Sequence, residues 1–217
     1  MKTDWEARRD IVAWAKQVYN KGLVAATDGN ISCRIDVDRI MITPSGKSLG
    51  FLTADDMAYV DTSGNVLGST NKPSSELPMH LEIFRQRPEI NAVIHAHPPL
   101  ATAFTVTGQS MSVPILPEVV VMLGKIPTAR YATPATAESA AVIKDLIADN
   151  DVILLDHHGA VTCGKSLEDA YFKMEKLEHA AKTLIAARQL GQAIPLDQTE
   201  IVKLEKIRVD FGYGIKK

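Results

Sequence analysis

Ala92-Val93-Ile94-His95-Ala96-His97-Pro98-Pro99 is the stretch around which the chain is organised. An apolar, β-branched approach leads to two histidines spaced i and i+2, and a Pro-Pro pair closes it. On a strand alternate side chains share a face, so His95 and His97 point the same way. Neutral imidazole is the commonest metal ligand, and a strand end holds two of them at a fixed separation. Strands also carry paired histidines for packing, so the motif alone is a weak sign. A second apolar segment, Asp151-Val152-Ile153-Leu154-Leu155-Asp156, runs into His157-His158-Gly159. Four of the six histidines therefore fall at the ends of two predicted strands. Packing alone does not explain that clustering.

Outward from these strands, Thr3-Asp4-Trp5-Glu6 has the form of a capping box and opens a helix with apolar Ile11, Ala15 and Val18, ending near Gly22. Ile31 to Ile35 and Arg39 to Thr43 form a predicted hairpin, and Met57 to Asp61 with Val66-Leu67 a second. Lys72-Pro73-Ser74-Ser75-Glu76 leads into a helix to about Arg87, with Leu77, His80, Leu81 and Phe84 on one face. A helix over Ala101 to Val106 follows the first histidine strand. Thr136 caps a helix to Ala148, and Ser166 opens the longest, to about Leu190. From about 196 the chain is charged and predicts a short helix with a mobile tail. Strands and helices alternate irregularly, with hairpins early. That pattern predicts one α/β domain over 1–217, in three layers, with a largely antiparallel central sheet flanked by helices.

Composition narrows the function. The chain has 217 residues, 46% hydrophobic and 23% charged, with a formal net charge of -2 and no basic run, which argues against nucleic acid as partner. No apolar run approaches a membrane span, and Met1 to Glu6 is charged and unlike a signal peptide. Cys33 and Cys163, far apart, read as reduced thiols. A soluble, cytoplasmic protein is expected, with no membrane partner.

Three imidazoles with an open fourth position are a standard catalytic zinc arrangement. His95 and His97 would supply two. Neighbours on a strand face opposite ways, so one of His157 and His158 would be the third, with Gly159 letting the backbone turn. Gly29-Asn30, Ser45-Gly46 and Ser74-Ser75 are small polar turns that place N–H groups and short donors outward. Singly each suits an ordinary turn or cap. Converging, they would cradle a phosphate. Glu76, just after the serines, reads either as a first-turn carboxylate favoured by the helix dipole or as a general base.

Together, Asp28-Gly29-Asn30, Thr43-Pro44-Ser45-Gly46, Pro73-Ser74-Ser75-Glu76, His95-Ala96-His97 and His157-His158-Gly159, in this order and at these separations, resemble the class II aldolase/adducin family, and within it the L-fuculose-1-phosphate aldolase branch. The resemblance implies a homotetramer of α/β subunits, each with a nine-stranded, largely antiparallel sheet, and zinc near a subunit interface. It makes His95, His97 and His158 the metal ligands and Glu76 the acid/base. It lays the substrate phosphate on Gly29, Asn30, Ser45, Gly46, Ser74 and Ser75. Manganese or cobalt would also suit such ligands. The implied activity is reversible cleavage of a ketose 1-phosphate, of the L-fuculose, 5-deoxyribulose or 5-methylthioribulose type, to dihydroxyacetone phosphate and an aldehyde.

One position departs from that branch. Glu118 stands where the fuculose-phosphate enzymes carry a tyrosine that protonates from the neighbouring subunit. A glutamate there resembles the methylthioribulose-1-phosphate dehydratase branch, where it is the acid/base, although that branch lacks a counterpart of Glu76. Tyr213 resembles the family's C-terminal tyrosine that closes over the site. The alternatives are a sister lyase, either that dehydratase or a phosphorylated sugar-acid decarboxylase, and a non-catalytic domain like the adducin head.

Overall fold

The structure, a computed structural model, describes residues 3–213. Helix α1 (Asp4–Asn20) begins at the expected capping box, with Thr3 N–H donating to Glu6 Oε2 at 2.7 Å and Glu6 N–H to Thr3 Oγ1 at 3.3 Å. It buries Ala7, Ile11, Ala15 and Val18 along one stripe. Strands β1 (Asn30–Arg34), β2 (Arg39–Ile42) and β3 (Ala58–Asp61) follow, and Val66 makes only an isolated bridge to Val60 where the second hairpin was expected. Then come α2 (Leu77–Gln86), β4 (Ala92–Ala96), α3 (Pro99–Val106), α4 (Pro117–Met122), β5 (Thr128–Ala129) and α5 (Ala137–Ile147). The chain continues through β6 (Val152–Leu155), β7 (Gly159–Gly164), α6 (Leu167–Leu190) and α7 (Gln198–Asp210).

The sheet runs β3-β2-β1-β4-β7-β6-β5, seven strands among the described residues where the resemblance implied nine. Every ladder is antiparallel except the two-residue pairing of β5 with β6, so the sheet is mixed but largely antiparallel, as expected. Side chains alternate between two apolar layers. Ile31, Met41, Ile94, Leu154 and Ala160 join α1, α3 and α6 on one face. Ile40, Ile42, Val93, Ile153 and Val161 join α2 and α5 on the other. Both faces are covered, which makes the three layers. Each fully buried Ile or Leu contributes ~1.5–3 kcal/mol, and a one-residue slip would send each to the wrong layer. A slip in β4 would also push the His95 imidazole into the apolar layer under α6. Register therefore fixes the histidine face as well as the core.

Among the α-helices and strands of the described residues, three were not read from the sequence: α4, β5 and β7. The expected strand Asp151 to His158 ends at Leu155, and Asp156-His157-His158 is the turn joining β6 to β7. On α2, Met79 and Ile83 are buried with Leu77, His80 and Phe84, while Leu81 is only half-buried. The charged C-terminal stretch forms α7, tethered where Arg208 Nη1 donates to the Val121 and Met122 carbonyls at the end of α4. The expected mobile tail extends to residues 214–217, which lie outside the described residues.

Candidate active site

Three imidazoles meet where β4 and β7 end on the α2 side. The ring centroids of His95, His97 and His158 are 4.7–4.9 Å apart, and one nitrogen from each lies within 4.8 Å of the others. His95 and His97 share a strand face, as their spacing predicted. Of the adjacent pair, His158 joins the cluster. His157 is exposed, with φ of 55° and Nδ1 at 2.8 Å from Asp156 Oδ1. The positive φ of the turn falls on His157, not on Gly159 as expected. Gly159 is needed for a different reason. A Cβ there would collide with the Ala96 carbonyl and come within 2.8 Å of His97 Cδ2. The bare glycine lets β7 approach β4 closely enough to bring His158 beside His97.

Glu76 completes the group from the N-terminal end of α2, with Oε2 at 2.8 Å from His95 Nε2 and Oε1 at 3.5 Å from His158 Nε2. The hydrogen-bond chemistry here is unbalanced. His95 Nδ1 is 2.9 Å from the Ala160 carbonyl oxygen, which can only accept, so Nδ1 carries the proton and the neutral ring turns a lone pair outward at Nε2. That lone pair faces the Glu76 carboxylate and, at 3.1 Å, His97 Nε2. Glu76 Oε1 is buried with no hydrogen-bond partner. A bare His95 Nε2 against a carboxylate, with a second carboxylate oxygen unpaired, suits a cation between them. Three imidazoles and a carboxylate fit a divalent metal such as zinc, and His95, with its other nitrogen fixed by a backbone carbonyl, is oriented as metal-binding histidines usually are.

Titration follows the same logic. Burial pushes the Glu76 carboxyl up, but positive charge where His95 and His158 meet it, together with the Asn30 hydrogen bond, pulls the group well below the usual carboxylate range, and with the rings neutral a bound cation would supply that charge. Burial, reinforced by the neighbouring imidazoles His95 and His158, lowers His97 to about 4. His158 is lowered by burial and by His95. The site thus keeps a carboxylate ionised and these two rings neutral, the states that bind metal.

Beside this group lies a cavity of about 190 Å³. All six expected phosphate residues line it, Gly29, Asn30, Ser45, Gly46, Ser74 and Ser75, together with Glu76, His97 and His158. An isolated bridge between Pro44 and Pro73, with Ser45 N–H donating to Lys72 O and Ser74 N–H to Thr43 O, brings the two serine-bearing turns together. Gly29 and Gly46 adopt φ of 76° and 75°, and a Cβ on Gly29 would come within 2.9 Å of the His95 carbonyl. Among the described residues no lysine or arginine lines the cavity. Larger clefts exist, one of about 740 Å³ along α6 near Lys21 and His179, but the convergence of unmatched groups, not size, marks this one.

Residues 9–185 match the family described as Class II Aldolase and Adducin N-terminal domain. The chain belongs to the class II aldolase and adducin family. Among its relatives, an L-fuculose phosphate aldolase of Methanococcus vannielii is 39% identical over 76% of this chain and 88% of the relative. A 3-oxo-tetronate 4-phosphate decarboxylase of Haemophilus influenzae is 32% identical over 94% of this chain and 98% of the relative. The crystal structure of YgbL from Escherichia coli superposes with a TM-score of 0.88 at 31% identity, covering 94% of this chain and all of that one. Two expected family residues lie elsewhere in the chain. Glu118 is exposed in the first turn of α4. Tyr213 lines a separate cleft with Arg87, Asp151 and Lys173, toward the opposite end of β7 from His158.

Sequence reading missed several lining residues. Asp28 Oδ2 is 3.5 Å from His97 Nδ1, and its place in Asp28-Gly29-Asn30 was the available signal. Thr27, Pro134 and Ala135 also line the cavity. Ala135 adopts φ of 61°, which nothing in its type announces. His80, read as part of the apolar face of α2, has polar partners on both ring nitrogens.

Proposed function

We propose that this chain is a zinc-dependent lyase that reversibly cleaves a ketose 1-phosphate to dihydroxyacetone phosphate and an aldehyde. One observation carries this reading: Glu76 lies against His95 and His158 of three convergent imidazoles and lines one cavity with all six residues expected to hold a phosphate. In the cleavage direction, the N–H groups and hydroxyls of Gly29, Asn30, Ser45, Gly46, Ser74 and Ser75 hold the phosphate and so fix the carbon chain over Glu76. His95, His97 and His158 would hold the divalent cation, with Glu76 beside it. The cation supplies Lewis-acid polarisation of the substrate's carbonyl and hydroxyl oxygens. As the bond breaks, the hydroxyl of the departing carbon gives its proton to solvent and becomes the aldehyde, the electrons of the bond remain on the carbon next to the carbonyl, and the Glu76 carboxylate takes a proton from solvent and delivers it there. In condensation the Glu76 carboxylate removes that proton, and its lowered pKa keeps it in the accepting form.

The test is condensation of dihydroxyacetone phosphate with lactaldehyde or acetaldehyde, with and without chelator. Metal-dependent product is expected, and none with any aldehyde would overturn the reading. The proposal includes a homotetramer with the site near a subunit interface, where Glu118 and Tyr213 of neighbouring copies would approach it. Light scattering finding a monomer under assay conditions would remove those two residues from the mechanism.

A second reading is favoured by the decarboxylase relative, whose 32% identity extends over 94% of this chain. Loss of carbon dioxide from a phosphorylated 3-oxo acid leaves electrons on the carbon beside a carbonyl, and Glu76 would protonate it identically. Carbon dioxide released from 3-oxo-tetronate 4-phosphate, with no aldehyde condensation, would establish this alternative.

A further inference from the structure

Behind Glu76 lies a buried line of hydrogen bonds that the cleavage chemistry does not itself require. Asn30 Nδ2 is 3.1 Å from Glu76 Oε2, Asn30 Oδ1 is 2.5 Å from His80 Nε2, and His80 Nδ1 is 2.6 Å from Ser32 Oγ. Asn30, Ser32, Glu76 and His80 are all buried, His80 and Ser32 completely. Two periodicities assemble the line. Asn30 and Ser32 are alternate residues of β1 and share the face turned to α2. Glu76 and His80 are one helical turn apart on α2. Asn30 is paired in register with His95, so the same strand pair that sets the imidazoles also sets this line.

Its polarity is fixed by chemistry. An ionised Glu76 only accepts, so the Asn30 amide must turn Nδ2 toward it and Oδ1 toward His80. Oδ1 only accepts, so His80 carries its proton on Nε2. Nδ1 is then bare and takes the hydroxyl proton of Ser32. Burial, with the nearby His95, lowers His80 to about 3, so the ring stays neutral and cannot supply two donors. Every donor in the line points toward Glu76.

We propose that His80 is a positioning residue, holding the Asn30 amide in the one orientation that donates to Glu76 and so aiming the carboxylate that moves the proton. Without His80, Asn30 Oδ1 loses its donor and the amide is free to invert. Inverted, it would face the carboxylate with an acceptor, and Glu76 would swing away. The proposal rests on Glu76 as the proton carrier.

The test compares His80→Leu, which breaks the line, with His80→Gln, which keeps one donor and one acceptor on a side chain of similar reach. Ser32→Ala breaks only the far end. Each is followed by kcat, KM, metal content and exchange of a carbon-bound hydrogen of dihydroxyacetone phosphate with deuterated water in the absence of aldehyde. His80→Leu should lower kcat and the exchange rate on the order of 10–100-fold, as loss of supporting hydrogen bonds around a site typically does, with KM and metal content near wild type. His80→Gln should restore most of the loss, and Ser32→Ala should cost less than His80→Leu. A kcat unchanged in His80→Leu, or a His80→Gln as impaired as His80→Leu, overturns the proposal. If His80→Leu fails to fold, Ser32→Ala and His80→Gln still decide it. Nitrogen NMR of the wild-type ring gives an answer independent of activity. A neutral Nε2–H tautomer from pH 5 to 8 is expected, and an Nδ1–H tautomer or an imidazolium overturns the proposal. Wild-type protein lacking both exchange and turnover would instead refute the reading of Glu76, whatever the tautomer.

Discussion

The β6–β7 hairpin carries a buried cluster of ionisable side chains at each end, and the two are built on opposite plans. At its open end Asp151 lies 3.0 Å from both Arg87 Nη2 and Lys173 Nζ, and Lys173 also reaches Asp169 Oδ2 and the Cys163 carbonyl at 3.0 Å. Asp151 is pushed up by burial and pulled down further by Lys173 and Arg87. Lys173 is lowered by burial and raised further by Asp151 and Asp169. Donors meet acceptors there, and the charges stay paired. At its turn end, His95 and Glu76 turn acceptors toward each other beside His97 and His158, with Glu76 Oε1 unmatched. A buried polar group satisfied within the chain holds the fold, whereas one left unsatisfied holds a place for something else.

That contrast breaks most sharply under substitution. Glu76→Gln should lower turnover roughly 10²–10⁴-fold, the usual worth of a positioned acid/base, while the urea midpoint stays near wild type. An active Glu76→Gln enzyme would remove the carboxylate from the mechanism. Lys173→Met should do the reverse and cost about 3–5 kcal/mol of stability by leaving buried carboxylates underpaired. Its kcat, measured below the unfolding transition, should match wild type, and a parallel loss of kcat would show the two ends to be coupled.

Metal removal tests only the turn end. Dialysis against chelator should abolish activity reversibly and lower stability by ~2.7 kcal/mol when the free ion had stood at a hundredfold excess over its dissociation constant. Lys173→Met should show the same increment. A thermal scan unchanged by chelator would mean that no ion is held among the histidines.

Acid separates the ends more gently. His80 is lowered from 6.5 to about 3, so below pH 6.5 the unfolded chain takes up a proton that the folded chain refuses. Stability from this group is complete above pH 6.5 and is lost as pH falls toward 3. At pH 5 the loss is on the order of 2 kcal/mol relative to pH 7. The metal-free His97 and the depressed Glu76 act in the same direction, Glu76 only below its ordinary 4.5. Asp151, lowered from 3.8, contributes nothing to this window. Denaturation midpoints at pH 7 and 5 should therefore differ less in His80→Gln than in wild type, and an equal difference would assign the acid sensitivity elsewhere.

Much of this was legible in the chain. Period-two and period-3.6 patterns gave most strands and helices, and the caps at Thr3, Thr136 and Ser166 hold in the structure. The elements missed have local reasons. Strand β7 reads Gly-Ala-Val-Thr-Cys-Gly, bounded by glycines that local rules assign to turns, and β5 is two residues whose pairing comes from its neighbour β6. The motifs named residues that the fold brings to one cavity and one histidine group.

The sequence by itself determined the inventory: which residues can bind metal, accept a proton or donate to an anion, and that His95 and His97 share a face. Such facts follow from side-chain chemistry and the twofold period of a strand, both local. Strand geometry alone left His157 and His158 open, the resemblance named His158, and the folded chain brings His158 to the other two; only the folded chain decided that Gly159 serves close approach rather than a turn, and that His80 belongs to a polar line rather than an apolar face. Each depends on contacts between segments far apart in sequence, where the partner is set by sheet register and layer packing and by no neighbour along the chain.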